Sequence, residues 1–139
     1  MNKGLRCFLS LGLLFCLSIC YGQSIHNHLN QLVGKIDSNG TVRDHNNMTI
    51  GKFESNGNIR DDNNMLVGKI ENNGTIRDKN NMALGKVESD GTVRDKNNLM
   101  MGKVESNGII RDKNNLTIGY AKDVPKKQAA VFFFFNLFN

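Results

Sequence analysis

The sequence predicts an all-β protein: an antiparallel meander of tandem 17-residue hairpin repeats in one twisted or rolled sheet. Three observations carry this. Near-copies of VGKIENNGTIRDKNNMA, as it stands at residues 67–83, start at Val33, Ile50, Val67, Leu84 and Met101, with a partial sixth at Ile118. Each copy holds two turn signals, such as Glu54-Ser55-Asn56-Gly57 and Asp61-Asp62-Asn63-Asn64. The stretches between them are short and rich in Val, Ile and Thr, as strands are.

In chain order, residues 1–22 come first. Lys3 and Arg6 precede an apolar run from Cys7 to Cys20, and Cys20-Tyr21-Gly22 stands ahead of polar Gln23. This is the pattern of a secretory signal peptide cleaved after Gly22, with an apolar run short for a membrane span, so no transmembrane span is expected after cleavage. Leu17-Ser18-Ile19-Cys20 also has the outline of a lipobox, in which Cys20 would be acylated, although Ile19 is bulky for its position. The expectation is an exported protein: periplasmic, at the cell surface or secreted. All three cysteines, Cys7, Cys16 and Cys20, lie in this segment, so neither disulfides, Cys-ligated zinc nor thiol catalysis is expected of the mature chain. Removing Lys3 and Arg6 from the 18 basic residues leaves 16 against 13 acidic ones, a net charge near +3. The two signs are too evenly mixed for a nucleic-acid footprint.

Residues 23–32 read as a polar leader. His26 and His28 form a His-x-His pair with no third ligand nearby in the sequence, which argues for solvated side chains in a flexible leader and against a metal site.

Residues 33–121 form the repeat array. Four columns are apolar, exemplified by Val67, Ile70, Ile76 and Met82. The Gly57 turn suits a type I turn with glycine in the left-handed position, and Asn64 takes the glycine role in the other turn. Three-residue loops place Phe53 opposite Ile59 and Ile59 opposite Val67, all on the core face. Val67 and Ile70 are an odd number of residues apart, so Gly68 is expected to mark a β-bulge that resets the alternation, as are Gly51, Gly85 and Gly102.

A parallel β-solenoid with one coil per repeat is the rival, since the fourth, tenth and sixteenth columns recur at intervals of six, six and five. Stacked coils would align Lys35, Lys52, Lys69, Lys86 and Lys103 about 4.8 Å apart. Each neighbouring pair would repel by roughly 0.9 kcal/mol even in water. A meander separates identical strands by two spacings, which favours the hairpins.

Residues 122–139 read as a loop around Pro125 followed by a Phe-rich capping strand. Phe132, Phe133, Phe134 and Phe135 would expose two rings on any isolated strand, so the run is either buried on both faces or meets a partner. The four phenylalanines are therefore the candidate partner contact. An envelope protein or a glycan is the partner class considered.

No catalytic residue emerges. Arg77-Asp78 and its copies read as structure, with Asp initiating the Asn turn and Arg pairing diagonally with the Glu before the preceding turn. Asp78-Lys79-Asn80-Asn81 offers oxygens for calcium, but a lysine, Lys79, Lys96 or Lys113, stands within this turn in three copies. The Gly-Lys pairs are not followed by Ser or Thr as a phosphate loop requires. No metal, cofactor or enzymatic activity is expected. The reading is an exported, non-enzymatic β-repeat scaffold with a structural or adhesive role at the cell envelope. The alternative is a ligand-binding module that recognises a polymer or glycan through repeated outward Lys, Arg, Glu and Asn rows.

The pattern G-K-[IV]-E-x-x-G-x-[IV]-R-D-x-N-N, as at residues 85–98, resembles the short tandem β-hairpin repeats of secreted and surface proteins of Gram-negative bacteria. In outline it is also similar to MORN and WG repeats, departing from both by having Lys where they carry an aromatic; Tyr120 alone stands there, in the sixth copy. The resemblance covers residues 33–121. It implies a β-repeat architecture and no enzymatic activity.

Overall fold

The computed structural model describes residues 22–138. The expected signal peptide and the Cys20 lipobox lie outside the described residues. Twelve strands run in chain order: β1 Gln23–Asn27, β2 Leu32–Ile36, β3 Thr41–Asp44, β4 Thr49–Phe53, β5 Asn58–Asp61, β6 Leu66–Ile70, β7 Thr75–Asp78, β8 Ala83–Val87, β9 Thr92–Asp95, β10 Met100–Val104, β11 Ile109–Asp112 and β12 Thr117–Tyr120. Each pairs antiparallel with its neighbours in sequence, and β1 also pairs with β12, so the meander closes into a barrel with no free edge. The parallel solenoid is thereby excluded.

Both turn types form as the residues dictate. Gly40, Gly57, Gly74, Gly91 and Gly108 have φ of 91–94°, where a side chain is strained, and a Cβ on Gly57 would also collide with the carbonyl oxygen of Ile70. Asn47, Asn64, Asn81, Asn98 and Asn115 take φ of 65–68° in the other turn. There, Asp61 Oδ1 accepts the amides of Asn63 and Met65, each at 2.9 Å, and every copy repeats the arrangement.

Phe53 faces Ile59 as expected, but Ile59 faces Gly68 and not Val67. The bulge is present; its extra residue is Val67, one position earlier than the glycine, because Gly68 is held in register on the inner face.

Residues 23–32 are not a leader. β1 is a repeat strand: Ile25, His26 and Asn27 take the places of Ile110, Arg111 and Asp112, with His26 opposite Tyr120 and Asn27 opposite Gly119 as Arg111 is opposite Lys103 and Asp112 opposite Gly102. Asn27 Oδ1 accepts the amides of Leu29 and Gln31 at 2.9 and 3.0 Å, and Asn30 has φ of 64°. The barrel thus has six petals. Five are continuous Gly-turn hairpins, and the sixth is assembled from β12 and β1.

The tail is not a strand either. After Pro125 it forms an α-helical turn, α1 Lys126–Ala130, and a π-helical turn, Val131–Phe135, ending at left-handed Asn136. The physical reason lies in the barrel. A closed sheet offers no edge to pair with, so a segment inside it must satisfy its own backbone, which a helix does. Ala129, Ala130 and Val131 are fully buried in the same core cluster as Ile25, Ile59, Ile76, Val93 and Ile110 from the strands. A lumen of this strand count is too wide for wall side chains alone to fill, and the axial helix occupies it.

Candidate interaction surfaces

At the level of the bulges the tail fans out. A Cβ built on each inner-face glycine would meet a tail side chain: Phe132 at Gly34 (2.7 Å), Phe133 at Gly119 (2.5 Å), Phe134 at Gly102 (2.6 Å), Phe135 at Gly85 (2.8 Å), Leu137 at Gly68 (3.0 Å) and Phe138 at Gly51. Six consecutive petals therefore receive one apolar side chain each. Adjacent petals are about one sixth of a turn apart, whereas an α-helix advances about 100° per residue. The looser π winding of Val131–Phe135 brings successive rings closer to the petal spacing. Left-handed Asn136 then redirects the chain so that Leu137 and Phe138 reach the last two glycines. The repeated glycine does more than accompany a bulge: it is the socket for a ring.

This relocates the expected partner contact. Phe132, Phe133, Phe134 and Phe135 pack against the barrel core, with Phe135 buried and the other three half-buried. The tail fills the lumen along the axis, and the edges of the array are closed by β1 pairing with β12, not by a capping strand from the tail.

On the outer wall, Arg43, Arg60, Arg77, Arg94 and Arg111 pair through Nε with Asp37, Glu54, Glu71, Glu88 and Glu105 at 2.9–3.2 Å, the diagonal expected from sequence. Each Nη1 also donates to the carbonyl of the turn asparagine ahead, as Arg77 does to Asn81 at 3.1 Å. One arginine thus ties together the two turns of its repeat. The pairing also offsets a like-charge contact, because Lys52 lies directly opposite Arg60 and Lys69 opposite Arg77. Half-exposed pairs of this kind contribute about 0–1 kcal/mol each.

With the acids engaged by arginine, the lysines are left to face solvent between petals. Shallow notches open at the Gly-turn end. One of about 350 Å³ is lined by Asn39, Lys52, Glu54, Ser55 and Asn56. One petal on, Asn56, Lys69, Glu71, Asn72 and Asn73 line a notch of about 430 Å³. The same columns return at Asp90, Lys103, Glu105, Ser106 and Asn107, where Lys126 from the tail joins a notch of about 340 Å³. Each offers an ammonium, a carboxylate and turn amides to a ligand. The outward rows are readable from the sequence; the notches are not, because each is shared by two neighbouring repeats and depends on their register.

Among the described residues no three or more His, Cys, Asp or Glu side chains are grouped to hold a metal ion. The turn aspartates, the oxygen donors considered for calcium, each have one carboxylate oxygen committed to two amides of their own turn. Among the described residues no helix is long and apolar enough to cross a membrane. Strands of four or five residues with charged outer positions likewise lack the length and the apolar band of a membrane barrel.

A closed antiparallel barrel of tandem hairpins, filled by its own tail and carrying repeated surface notches, is a β-repeat structural or interaction module. The 5-fold beta-flower protein family model matches residues 18–137, and the chain belongs to that family. No curated protein and no solved structure matches it. The likeness to MORN and WG repeats stops at the outline of one hairpin per repeat.

Proposed function

We propose that this chain is an exported, non-enzymatic scaffold that acts at the cell envelope by holding a polymeric, hydroxyl-rich or acidic glycan along its Gly-turn rim. The observation that carries the reading is the recurrence of one lining, Lys with Glu and turn Asn, at equivalent positions between successive petals. A ligand that itself repeats gains from such a rim, because each weak contact after the first is intramolecular. The recurring notches share one lining, which supports repeated binding over catalysis at a single unique site. Export rests on the basic start, the apolar run and the small-residue exit of residues 1–22.

The test is an array of envelope polysaccharides and their short oligomers probed with the full chain and with a Lys52→Ala/Lys69→Ala/Lys103→Ala variant. Binding should strengthen steeply with oligomer length and be lost in the triple variant. Equal affinity for one sugar unit and for the polymer, or a triple variant that binds as well as the parent, would overturn the reading. Cytoplasmic retention of the chain in a Gram-negative host would refute the export.

A further inference from the structure

The two ends of the barrel differ in chemistry. The Gly-turn end is polar, whereas every large hydrophobic residue that stands exposed among the described residues lies in an Asn turn or just after one. Met48, Met65, Met82, Leu99 and Leu116 occupy the same column in consecutive petals and are 63–64 % exposed, and Leu29 in the β1–β2 turn is 65 % exposed. Such uniform exposure around a closed ring defines an annulus at one height. Inside it lie the half-buried rings of the tail, which reach the glycines beside the Asn turns. An annulus at one height fits a flat surface better than a groove fits a peptide.

Charge decides between the flat surfaces available. The turn tips carry, in order round the ring, His28, His45, Asp62, Lys79, Lys96 and Lys113. Three lysines are on consecutive petals against one tip acid. The remaining acids of this end, Asp44, Asp61, Asp78, Asp95 and Asp112, keep their charge but stand half-exposed at the base of each turn, behind the exposed tip residues, with one carboxylate oxygen accepting two amides of its own turn. Two copies meeting face to face would bring two lysine arcs together with one tip acid each to answer them. A surface of anionic headgroups answers the lysines while the Met and Leu side chains enter the acyl boundary.

We infer that the Asn-turn end is a docking face for an anionic lipid bilayer, on which the barrel stands with its axis upright and its polar rim turned away from the membrane. The proposal is independent of what the notches bind.

Flotation of the full chain with vesicles of phosphatidylcholine alone and of phosphatidylcholine mixed with phosphatidylglycerol tests it. The chain should float with the anionic vesicles and not with the neutral ones, and added salt should weaken the association. Lys79→Glu/Lys96→Glu/Lys113→Glu should lower binding by roughly a hundredfold or more at low salt, from about 1 kcal/mol per cation near the surface. Met65→Ser/Met82→Ser/Leu99→Ser should lower it at least roughly tenfold with an unchanged melting curve, since these side chains are exposed. A wall variant of equal charge change, Lys35→Glu/Lys52→Glu/Lys69→Glu, should lose much less. Failure to float with either vesicle would overturn the proposal, as would equal loss in the wall and tip variants. So would a dimer in sedimentation that the serine variant dissolves, which would assign the face to a second copy.

Discussion

The ring of Phe134 occupies the space in which a side chain on Gly102 would stand: a Cβ there would lie 2.6 Å from Cζ of the ring and closer still to the carbonyl oxygen of Arg111. The same relation links five further glycines to five further tail residues. Gly102→Ala should therefore destabilise by about 1–3 kcal/mol through overpacking. Pairing it with Phe134→Leu should recover part of the loss, so a double-mutant cycle by urea denaturation should show coupling, where two independent sites would add.

Ile25 is fully buried opposite β2 and beside β12, in the place that Ile59 holds in β5. Ile25→Ala should cost about 2–5 kcal/mol, as a core deletion does. Ile59→Ala provides the scale. A free energy of unfolding unchanged by Ile25→Ala would mean that residues 23–32 are the leader the composition suggests.

Much of this fold is legible in the chain. The period, both turns, the Phe53–Ile59 pairing and the Arg–Glu diagonal follow from local chemistry, which each 17-residue copy states in full. Three things are hidden, and each depends on closure. Residues 25–32 retain the shape of a repeat while replacing Arg with His, Asp with Asn and Met with Gln, so identity fades although Asn27 still caps its turn. The apolar tail reads as a strand because phenylalanine favours strands on a half-buried sheet surface, yet inside a barrel without edges no strand partner exists. The sixteenth column is apolar but faces outward, since the bulge places Met48 and its equivalents on the rim.

Asn64 has φ of 65° in a turn where Asp61 already satisfies two amides. Asn64→Gly should be neutral or stabilising by a few tenths of a kcal/mol, and Asn64→Val should destabilise by about 1–2 kcal/mol, because a β-branched side chain crowds the left-handed backbone. Thermal melts of the two variants check the difference. Equal melting temperatures would mean that the backbone conformation at this position does not matter.

Asp90 stands where the other Gly turns have Asn, and its carboxylate accepts the Thr92 amide at 2.9 Å. Bonds from the Thr92 backbone and hydroxyl, aided by Lys103 and Arg94, hold its carboxyl below the usual 3.8. A depressed value in the folded state means that the stabilisation is present above the unfolded value and lost as pH falls through the folded one. Carboxyl chemical shifts should show Asp90 titrating below the usual aspartate value. Asp90→Asn keeps the turn cap and should remove this turn's share of acid sensitivity. A midpoint for Asp90 at or above the usual aspartate value would contradict the hydrogen bonding described here.

The most direct test of the threaded barrel is a nuclear Overhauser spectrum of protein carrying protonated Phe and Gly in a deuterated background. The account predicts cross-peaks from the ring protons of Phe132, Phe133, Phe134 and Phe135 to the α-protons of Gly34, Gly119, Gly102 and Gly85 respectively. Ring signals with no glycine partner, or with cross-peaks only to glycines of the Gly turns, would show a tail lying elsewhere than along the barrel axis beside the inner-face glycines and would contradict it.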